Sequence, residues 1–126
     1  MKKIVFIIPA YNEERNVTEL HSQISENISE LSMYKFTFLF IENGSTDNTY
    51  AELLDLVKFD KNVKILKLSR NFKMDGAIAA GINTVDGDAA IIMTANLQDD
   101  PKVIIKFIRK WEEGYEHVYG VAKSRP

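Results

Sequence analysis

The chain has 126 residues, of which 45% are hydrophobic, so it is long enough for one domain with a buried core and too short for two. Its formal net charge of −2 at pH 7 provides no positive surface for nucleic acid and no basic tail for a membrane surface. The absence of cysteine excludes disulfides and thiolate metal sites, and it is compatible with a reducing compartment.

The first residues combine lysines with an apolar run and superficially resemble the start of a signal peptide. The run covers only residues 4–8 and is stopped by Pro9, which makes it too short for the hydrophobic core of a signal sequence. A first core strand, residues 3–8, is therefore predicted. No later run approaches the roughly 20 apolar residues of a membrane span.

Strand-like and helix-like patterns alternate along the chain, which predicts an α/β domain with a Rossmann-like, mainly parallel sheet flanked by helices. Apolar residues from Val17 to Leu31 recur at spacings of three and four, and they predict the first helix. The predicted strands cover residues 3–8, 36–41, 63–68, 88–93 and 117–121. The predicted helices cover residues 12–31, 45–57, 76–83 and 101–113. Because nothing follows the last strand to cover it, a fragment with a missing second half is favoured.

The loop after the first strand runs from Pro9 to Glu14. A dinucleotide-binding fold would place a glycine-rich turn here, and its absence counts against a nicotinamide or flavin oxidoreductase. Tyr11 offers a flat face to a base, while Asn12 and Glu13 offer polar contacts to a base or a ribose. The alternative is that Asn12 is the helix N-cap and the two glutamates complement the helix dipole.

The loop after the second strand runs through residues 42–49. Gly44 permits a sharp turn, and Ser45 to Asp47 cap and charge the next helix. Capping does not explain Glu42 or Asn43, which are polar groups at the end of an otherwise buried strand. These two residues are therefore candidates for a binding role.

Two further loops carry polar groups to the same edge of the predicted sheet. In residues 69–76, Arg70 is a candidate partner for a phosphate or for Glu42, and simple surface solvation is the alternative. Thr94 directly follows the fourth predicted strand, and the oxygen-bearing side chains of Asn96, Gln98 and Asp99 follow closely. In open α/β sheets, ligands bind beyond the carboxyl ends of the strands. Asp100, directly before Pro101, is interpreted as the N-cap of the last helix.

Four segments resemble, in order and spacing, the motifs of inverting family 2 glycosyltransferases. They are residues 6–14 (FIIPAYNEE), 41–47 (IENGSTD), 68–72 (LSRNF) and 96–101 (NLQDDP). More narrowly, the chain resembles the polyprenyl-phosphate sugar transferases, the group that contains dolichol-phosphate mannose synthase. The resemblance implies the GT-A fold, with residues 1–126 as the nucleotide-sugar-binding half of a truncated domain.

The resemblance also implies an activity. It is the transfer of a sugar, with inversion, from a nucleotide diphosphate donor to a lipid-linked phosphate or a glycan. A UDP-sugar is favoured as donor, with a GDP-sugar as the alternative. The implied setting is cell-wall or polysaccharide biosynthesis in the cytoplasm, at the inner face of the membrane in the full-length protein. Membrane association through the missing C-terminal part and a homo-oligomer are further expectations.

Two other functions compete with this interpretation. One is a non-catalytic nucleotide-sugar-binding or assembly module with a degenerate metal site. The other, a sugar-nucleotide pyrophosphorylase, would need a first loop rich in glycine and basic residues, which residues 9–14 do not provide.

Carried over position by position, the resemblance implies a set of nucleotide-sugar-binding residues. They are Pro9, Ala10, Tyr11, Glu13, Glu42, Asn43, Ser45, Arg70, Thr94, Ala95 and Asn96. Asn43 stands where the family has an aspartate that accepts hydrogen bonds from the base. An amide keeps one acceptor, adds donors and loses the charge, so base recognition is expected to change.

Thr94 and Asn96 stand where the family has two aspartates that bind a divalent metal. The predicted ligands for Mg²⁺ or Mn²⁺ are therefore Asn96, Gln98 and Asp99, which supply mostly neutral oxygens. Lys123 and Arg125 are candidates for neutralising the leaving diphosphate in place of a metal. No general base can be assigned within residues 1–126.

Overall fold

The computed structural model describes residues 1–84, 86–95 and 102–114. The strands are β1 (Lys2–Ala10), β2 (Tyr34–Glu42), β3 (Val63–Lys67) and β4 (Ala89–Ile92). The helices are α1 (Val17–Ile28), α2 (Thr49–Phe59), α3 (Lys73–Thr84) and α4 (Val103–Glu112). Several predicted features lie outside the described residues: the strand 117–121, the metal ligands Asn96, Gln98 and Asp99, and the cations Lys123 and Arg125.

The described strands form one parallel sheet in the order β3-β2-β1-β4. Strand β1 is central, because it pairs along its whole length with β2 and through Ile4 to Ile7 with β4. Burial of β1 on both faces explains its continuous apolar sequence. The predicted parallel α/β architecture is confirmed.

Alternate residues of β1 point to two separate cores. Ile4, Phe6 and Ile8 pack with apolar side chains of α1, α2 and α4 on one face of the sheet. On the other face, Val5 and Ile7 pack with Ala77 of α3. Helix α3 lies so close to the strands that a Cβ at Gly81 would come within 2.8 Å of the Ile7 side chain. The small residues of this helix thus permit close packing against the sheet.

The predicted start of the first helix at residue 12 is wrong. Asn12 has a φ of 52°, in the left-handed region, and α1 begins only at Val17 with Asn16 as the residue before it. Asparagine tolerates this conformation better than most residues. The other predicted strand and helix bounds within the described residues agree with the structure to within a few residues, except that α2 begins at Thr49 and not near residue 45. None of the helices in the described part of the chain is long and apolar enough to cross a membrane.

Candidate functional site

A cleft with a volume of about 210 Å³ opens at the carboxyl edge of the sheet, beside the ends of β1, β2 and β4. Three loops and the segment after β4 contribute to its wall. The lining residues are Pro9, Ala10, Tyr11, Glu13, Asn43, Asn71, Lys73, Met74, Thr94 and Ala95. The cleft therefore lies where parallel α/β sheets bind their ligands.

The first loop is fastened to the second loop by hydrogen bonds between backbone and side chain. The Asn12 N–H donates to Ser45 Oγ at 2.9 Å, and the Thr46 N–H donates back to Asn12 Oδ1 at 2.8 Å. The Glu13 N–H donates to Thr49 Oγ1 at 2.8 Å. Asn12 is therefore a link between loops and not the N-cap of α1. These bonds leave the exposed Tyr11 ring on the lip of the cleft.

Asp47 completes this link from the start of α2. Its carboxylate accepts hydrogen bonds from the Thr49 N–H at 2.9 Å, from the Thr49 hydroxyl and from the Glu14 N–H. Burial raises the pKa of Asp47, but these hydrogen bonds outweigh the burial and hold the pKa below its usual value. The ionised side chain thus binds the first residue of α2 and also positions the first loop.

Glu42 and Gly44 determine the shape of the second loop. Glu42 is only 2% exposed, and its Oε1 accepts a hydrogen bond from the Ser45 N–H at 2.7 Å. Gly44 has a φ of +78°, and a Cβ there would lie 2.4 Å from the carbonyl carbon of Arg70. The second and third loops consequently approach as closely as a glycine allows.

Asn43 connects β2 to the third loop. Its Oδ1 accepts a hydrogen bond from the Phe72 N–H at 2.9 Å. Its Nδ2 donates to Asn71 Oδ1 at 3.1 Å and to the Lys73 carbonyl oxygen at 3.2 Å. Because both heteroatoms have protein partners and the residue is only 4% exposed, the Asn43 amide is committed to loop structure.

Arg70 does not reach the cleft. Its guanidinium lies over the Phe72 ring, 4.5 Å from the ring centroid, and it makes no ion pair with Glu42. Of the partners considered for Arg70, Glu42 is therefore excluded, since the Glu42 carboxylate is turned towards Ser45. Within the described part of the chain, Lys73 is the cation that lines the cleft.

The predicted nucleotide-sugar residues thus fall into groups. Those that line the cleft are Pro9, Ala10, Tyr11, Glu13, Asn43, Thr94 and Ala95. Glu42 and Ser45 support the loops, Arg70 lies outside the cleft, and Asn96 lies outside the described residues. The sequence-based list lacks Asn71, Lys73 and Met74. Their position directly after a parallel strand could have identified them, because ligands bind beyond the carboxyl ends of such strands.

A divalent metal does not fit the described residues. They contain no group of three histidine, cysteine or acidic side chains that could hold one. Glu13 is the carboxylate that lines the described cleft, and its Oε2 already accepts a hydrogen bond from Asn16 Nδ2 at 2.7 Å. Thr94 provides a neutral hydroxyl at the end of β4. Hard divalent cations are usually held with the help of several carboxylates, and among the described lining residues only Glu13 supplies one.

Comparison with known proteins finds that the model of the family "Glycosyl transferase family 2" matches residues 5–126. An uncharacterized glycosyltransferase of Synechocystis is 37% identical over 123 residues, which are 98% of this chain and 38% of that protein. The undecaprenyl-phosphate 4-deoxy-4-formamido-L-arabinose transferase of Proteus mirabilis is 32% identical, over 94% of this chain and 36% of its own length. The chain thus spans less than half the length of these relatives.

Two solved structures share the fold. The mannosyltransferase PcManGT of Pyrobaculum calidifontis, in complex with GDP-mannose and Mn²⁺, gives a TM-score of 0.73 at 17% identity, over 87% of this chain and 32% of that one. TarS 1–349 of S. aureus, in complex with UDP-GlcNAc, gives 0.68 at 19% identity, over 88% and 31%. The predicted GT-A-type fold is confirmed by these likenesses.

Proposed function

Because this chain belongs to glycosyl transferase family 2, we propose that residues 1–126 form the nucleotide-sugar-binding half of a sugar transferase. The observation that carries this proposal is the cleft, where the ends of β1, β2 and β4 converge. A nucleotide diphosphate sugar would lie across these strand ends, with a UDP-sugar as the favoured donor and a GDP-sugar as the alternative.

The described residues suggest how the nucleoside would be held. Tyr11 is 40% exposed at the lip of the cleft, where its ring is available to stack on a base. Glu13 lies half-buried beside it and provides a carboxylate that can accept hydrogen bonds from ribose hydroxyls. Pro9, Ala10 and Ala95 contribute small side chains, which leave room for the ligand.

The reaction proposed for the whole protein is a single displacement with inversion. An acceptor oxygen attacks the anomeric carbon from the face opposite the nucleotide, and a new carbon–oxygen bond forms. The bond between that carbon and the diphosphate breaks, and the diphosphate leaves with the electron pair. An ionised phosphate acceptor needs no general base, whereas a glycan hydroxyl would pass its proton to one. No residue of 1–126 is assigned that role.

A lipid-linked phosphate is the favoured acceptor class, with a growing glycan as the alternative. The support comes from relatives named for undecaprenyl-phosphate and bactoprenol substrates, the second a glucosyl transferase of Shigella phage SfX that is 33% identical. Such an acceptor would bring the full-length protein to the inner face of a membrane, in cell-wall or polysaccharide synthesis. Co-sedimentation of the full-length protein with vesicles that contain undecaprenyl phosphate tests this placement, and light scattering tests the proposed homo-oligomer.

A divalent metal remains a proposal that rests on Asn96, Gln98 and Asp99, all outside the described residues. When bound, Mg²⁺ or Mn²⁺ would offset the negative charge of the diphosphate. We expect Asn96→Asp to strengthen Mn²⁺-dependent donor binding, because it restores a charged ligand. Unchanged Mn²⁺ dependence in this variant, measured by calorimetry, would show that the loop does not approach the diphosphate.

The central experiment is a calorimetric titration of UDP- and GDP-sugars into the chain, with and without Mn²⁺. We expect binding of one nucleotide class and a roughly fivefold or greater loss of affinity in Tyr11→Ala, because base–aromatic stacking is worth about 1–3 kcal/mol. Phe59→Ala is the matched control, since Phe59 is 82% exposed at the far end of α2. No binding of either class by an intact full-length protein would contradict the transferase proposal.

The second candidate is a non-catalytic module that binds a nucleotide sugar. The neutral Thr94 at the end of β4 and the absence of an acidic cluster in the described cleft favour it. A transfer assay on the full-length protein with radiolabelled donor and undecaprenyl phosphate separates the two. If the protein binds the donor but neither transfers its sugar nor hydrolyses it, the non-catalytic module is supported. Sugar transfer would exclude the module.

A further inference from the structure

Lys73 has a backbone conformation that lysine rarely adopts. Its φ is 62°, and among the described non-glycine residues it shares a positive φ only with Asn12. Asparagine enters this region readily, but a long side chain does so at an energetic cost. A strained residue of this kind persists only where surrounding contacts hold it, and such residues concentrate at ligand sites. Lys73 also lines the cleft.

The contacts that hold Lys73 come from Asn43 and Asn71. The Lys73 N–H donates to Asn71 Oδ1 at 2.7 Å, and the Lys73 carbonyl oxygen accepts a hydrogen bond from Asn43 Nδ2 at 3.2 Å. Both peptide groups of Lys73 are therefore tied to side-chain amides. A carboxylate at position 43 has no hydrogen to donate to that carbonyl oxygen. The amide at position 43 and the turn at Lys73 thus depend on each other.

The charges around the cleft indicate that the turn at Lys73 presents a cation to a ligand. Lys73 is the cationic residue and Glu13 the acidic residue among those that line the described cleft. Glu13 already accepts a hydrogen bond from Asn16, whereas the exposed Lys73 ammonium forms no ion pair with any described residue. A flexible stem lets this ammonium reach an anion in the cleft.

We propose that the Lys73 ammonium binds the diphosphate of the nucleotide and supplies positive charge opposite the neutral Thr94 at the end of β4. Asn43 is then a positioning residue, which sets the Lys73 turn and does not read the base. This inference rests on the proposed function, since it names the residue that contacts one part of the same ligand. It assigns to Lys73 the neutralising role that the sequence suggests for Lys123 and Arg125.

The test uses Lys73→Gly, because glycine keeps the left-handed turn without strain and removes the cation. UDP, GDP, uridine and guanosine are titrated by calorimetry into the 126-residue chain in EDTA. Lys73→Arg retains the charge. Lys61→Gly is the matched control, since Lys61 is exposed in the turn before β3 and loses the same charge.

We expect Lys73→Gly to bind the preferred nucleoside diphosphate about tenfold or more weakly, with unchanged affinity for the nucleoside and a melting temperature no lower than that of the wild type. Lys73→Arg should stay close to the wild type, and Lys61→Gly should match it. Undiminished diphosphate affinity in Lys73→Gly would overturn the Lys73 assignment alone. If the wild type binds none of the four compounds with or without Mn²⁺, the proposed function fails and this inference falls with it.

Discussion

The two ends of β2 are stabilised by different interactions. At its start, an aromatic cluster consisting of Phe6, Tyr34, Phe36, Phe38 and Trp111 covers the sheet. Phe6 stacks on Phe36 with ring centroids 5.6 Å apart and lies 5.3 Å from Phe38. At the other end of β2, the cleft loops (residues 9–14, 42–49 and 69–76) are joined by hydrogen bonds from backbone N–H groups to side-chain oxygens.

The difference concerns how each end responds to a change of sequence. Apolar packing is non-directional, so the aromatic cluster should lose stability roughly in proportion to the contacts removed. The cleft loops depend on single donors and acceptors at fixed positions, where one changed atom leaves a buried partner unsatisfied. We therefore expect mutations in the cluster to affect stability alone, and mutations of the residues that join the cleft loops to affect stability and ligand binding together.

The largest expected effect is that of Phe6→Ala in the aromatic cluster. Phe6 is fully buried, and its removal should cost about 3–5 kcal/mol of unfolding free energy through lost contacts and a cavity. Urea unfolding measures this loss, and the exposed Phe59→Ala provides the baseline. Nucleotide affinity of the remaining folded protein should not change. A weakened affinity would break the proposed separation between the two ends.

Next in size is Gly44→Ala at the closest approach of the cleft loops. The positive φ and the overlap with the Arg70 backbone together should cost about 3 kcal/mol. Gly114→Ala is a matched control, because Gly114 has a φ of +101° but no non-neighbouring atom of the described residues within 4 Å of the added Cβ. Equal losses of stability in the two variants would show that φ alone matters and that the loops can separate without cost.

Asn43→Asp should cost about 2 kcal/mol, because the Lys73 carbonyl oxygen loses its donor and faces a carboxylate oxygen instead. Nucleotide affinity should fall as well, through disturbance of the Lys73 turn. Urea unfolding and calorimetry report the two effects. Asn83→Asp, the same change at an exposed position of α3, should alter the unfolding free energy by about 0.5 kcal/mol or less. A stable Asn43→Asp with tighter nucleotide binding would instead indicate that residue 43 contacts the base.

The smallest effect is the pH dependence that Asp47 contributes. Its folded-state pKa lies below the unfolded value near 3.8, so its contribution to stability is present above that pH and is lost as the pH falls through the folded pKa. Asp47→Asn should therefore flatten the acid limb of the stability curve below about pH 4. Chemical unfolding at stepped pH measures the slope, with Asp55→Asn on the exposed surface of α2 as the control. An unchanged slope in Asp47→Asn would remove Asp47 from the link between the loops.

The same contrast explains which features the sequence could predict. Strands, helices and the parallel sheet follow from local apolar patterns, as in the continuous run of β1, and the parallel α/β architecture is confirmed for the described residues. The rule that ligand sites follow strand ends also brings Tyr11 and Thr94 to one cleft. Both outcomes depend on information that lies within a short stretch of sequence.

The roles of Asn12, Asn43 and Lys73 required the structure. The partners of Asn12 are Ser45 and Thr46, more than 30 residues away, so a sequence pattern cannot distinguish this link from a helix cap. Similarly, the polar Asn43 suggests a ligand contact until its bonds to the third loop are seen. The positive φ of Lys73 has no signal of its own in the sequence, since lysine seldom adopts it.

The central place of β1 has a consequence for how the chain acquires its fold. Lys2 pairs with Tyr34, and Ile4 pairs with Ala89, so both neighbours of the first strand are made from residues synthesised much later. Until these partners are synthesised, the backbone hydrogen-bonding groups of the apolar β1 are unpaired. A chain in this state is prone to aggregation. Pairings so distant in sequence also slow folding, because a long stretch of chain must be ordered before they form. Early binding of β1 by a chaperone would protect the nascent chain during this interval.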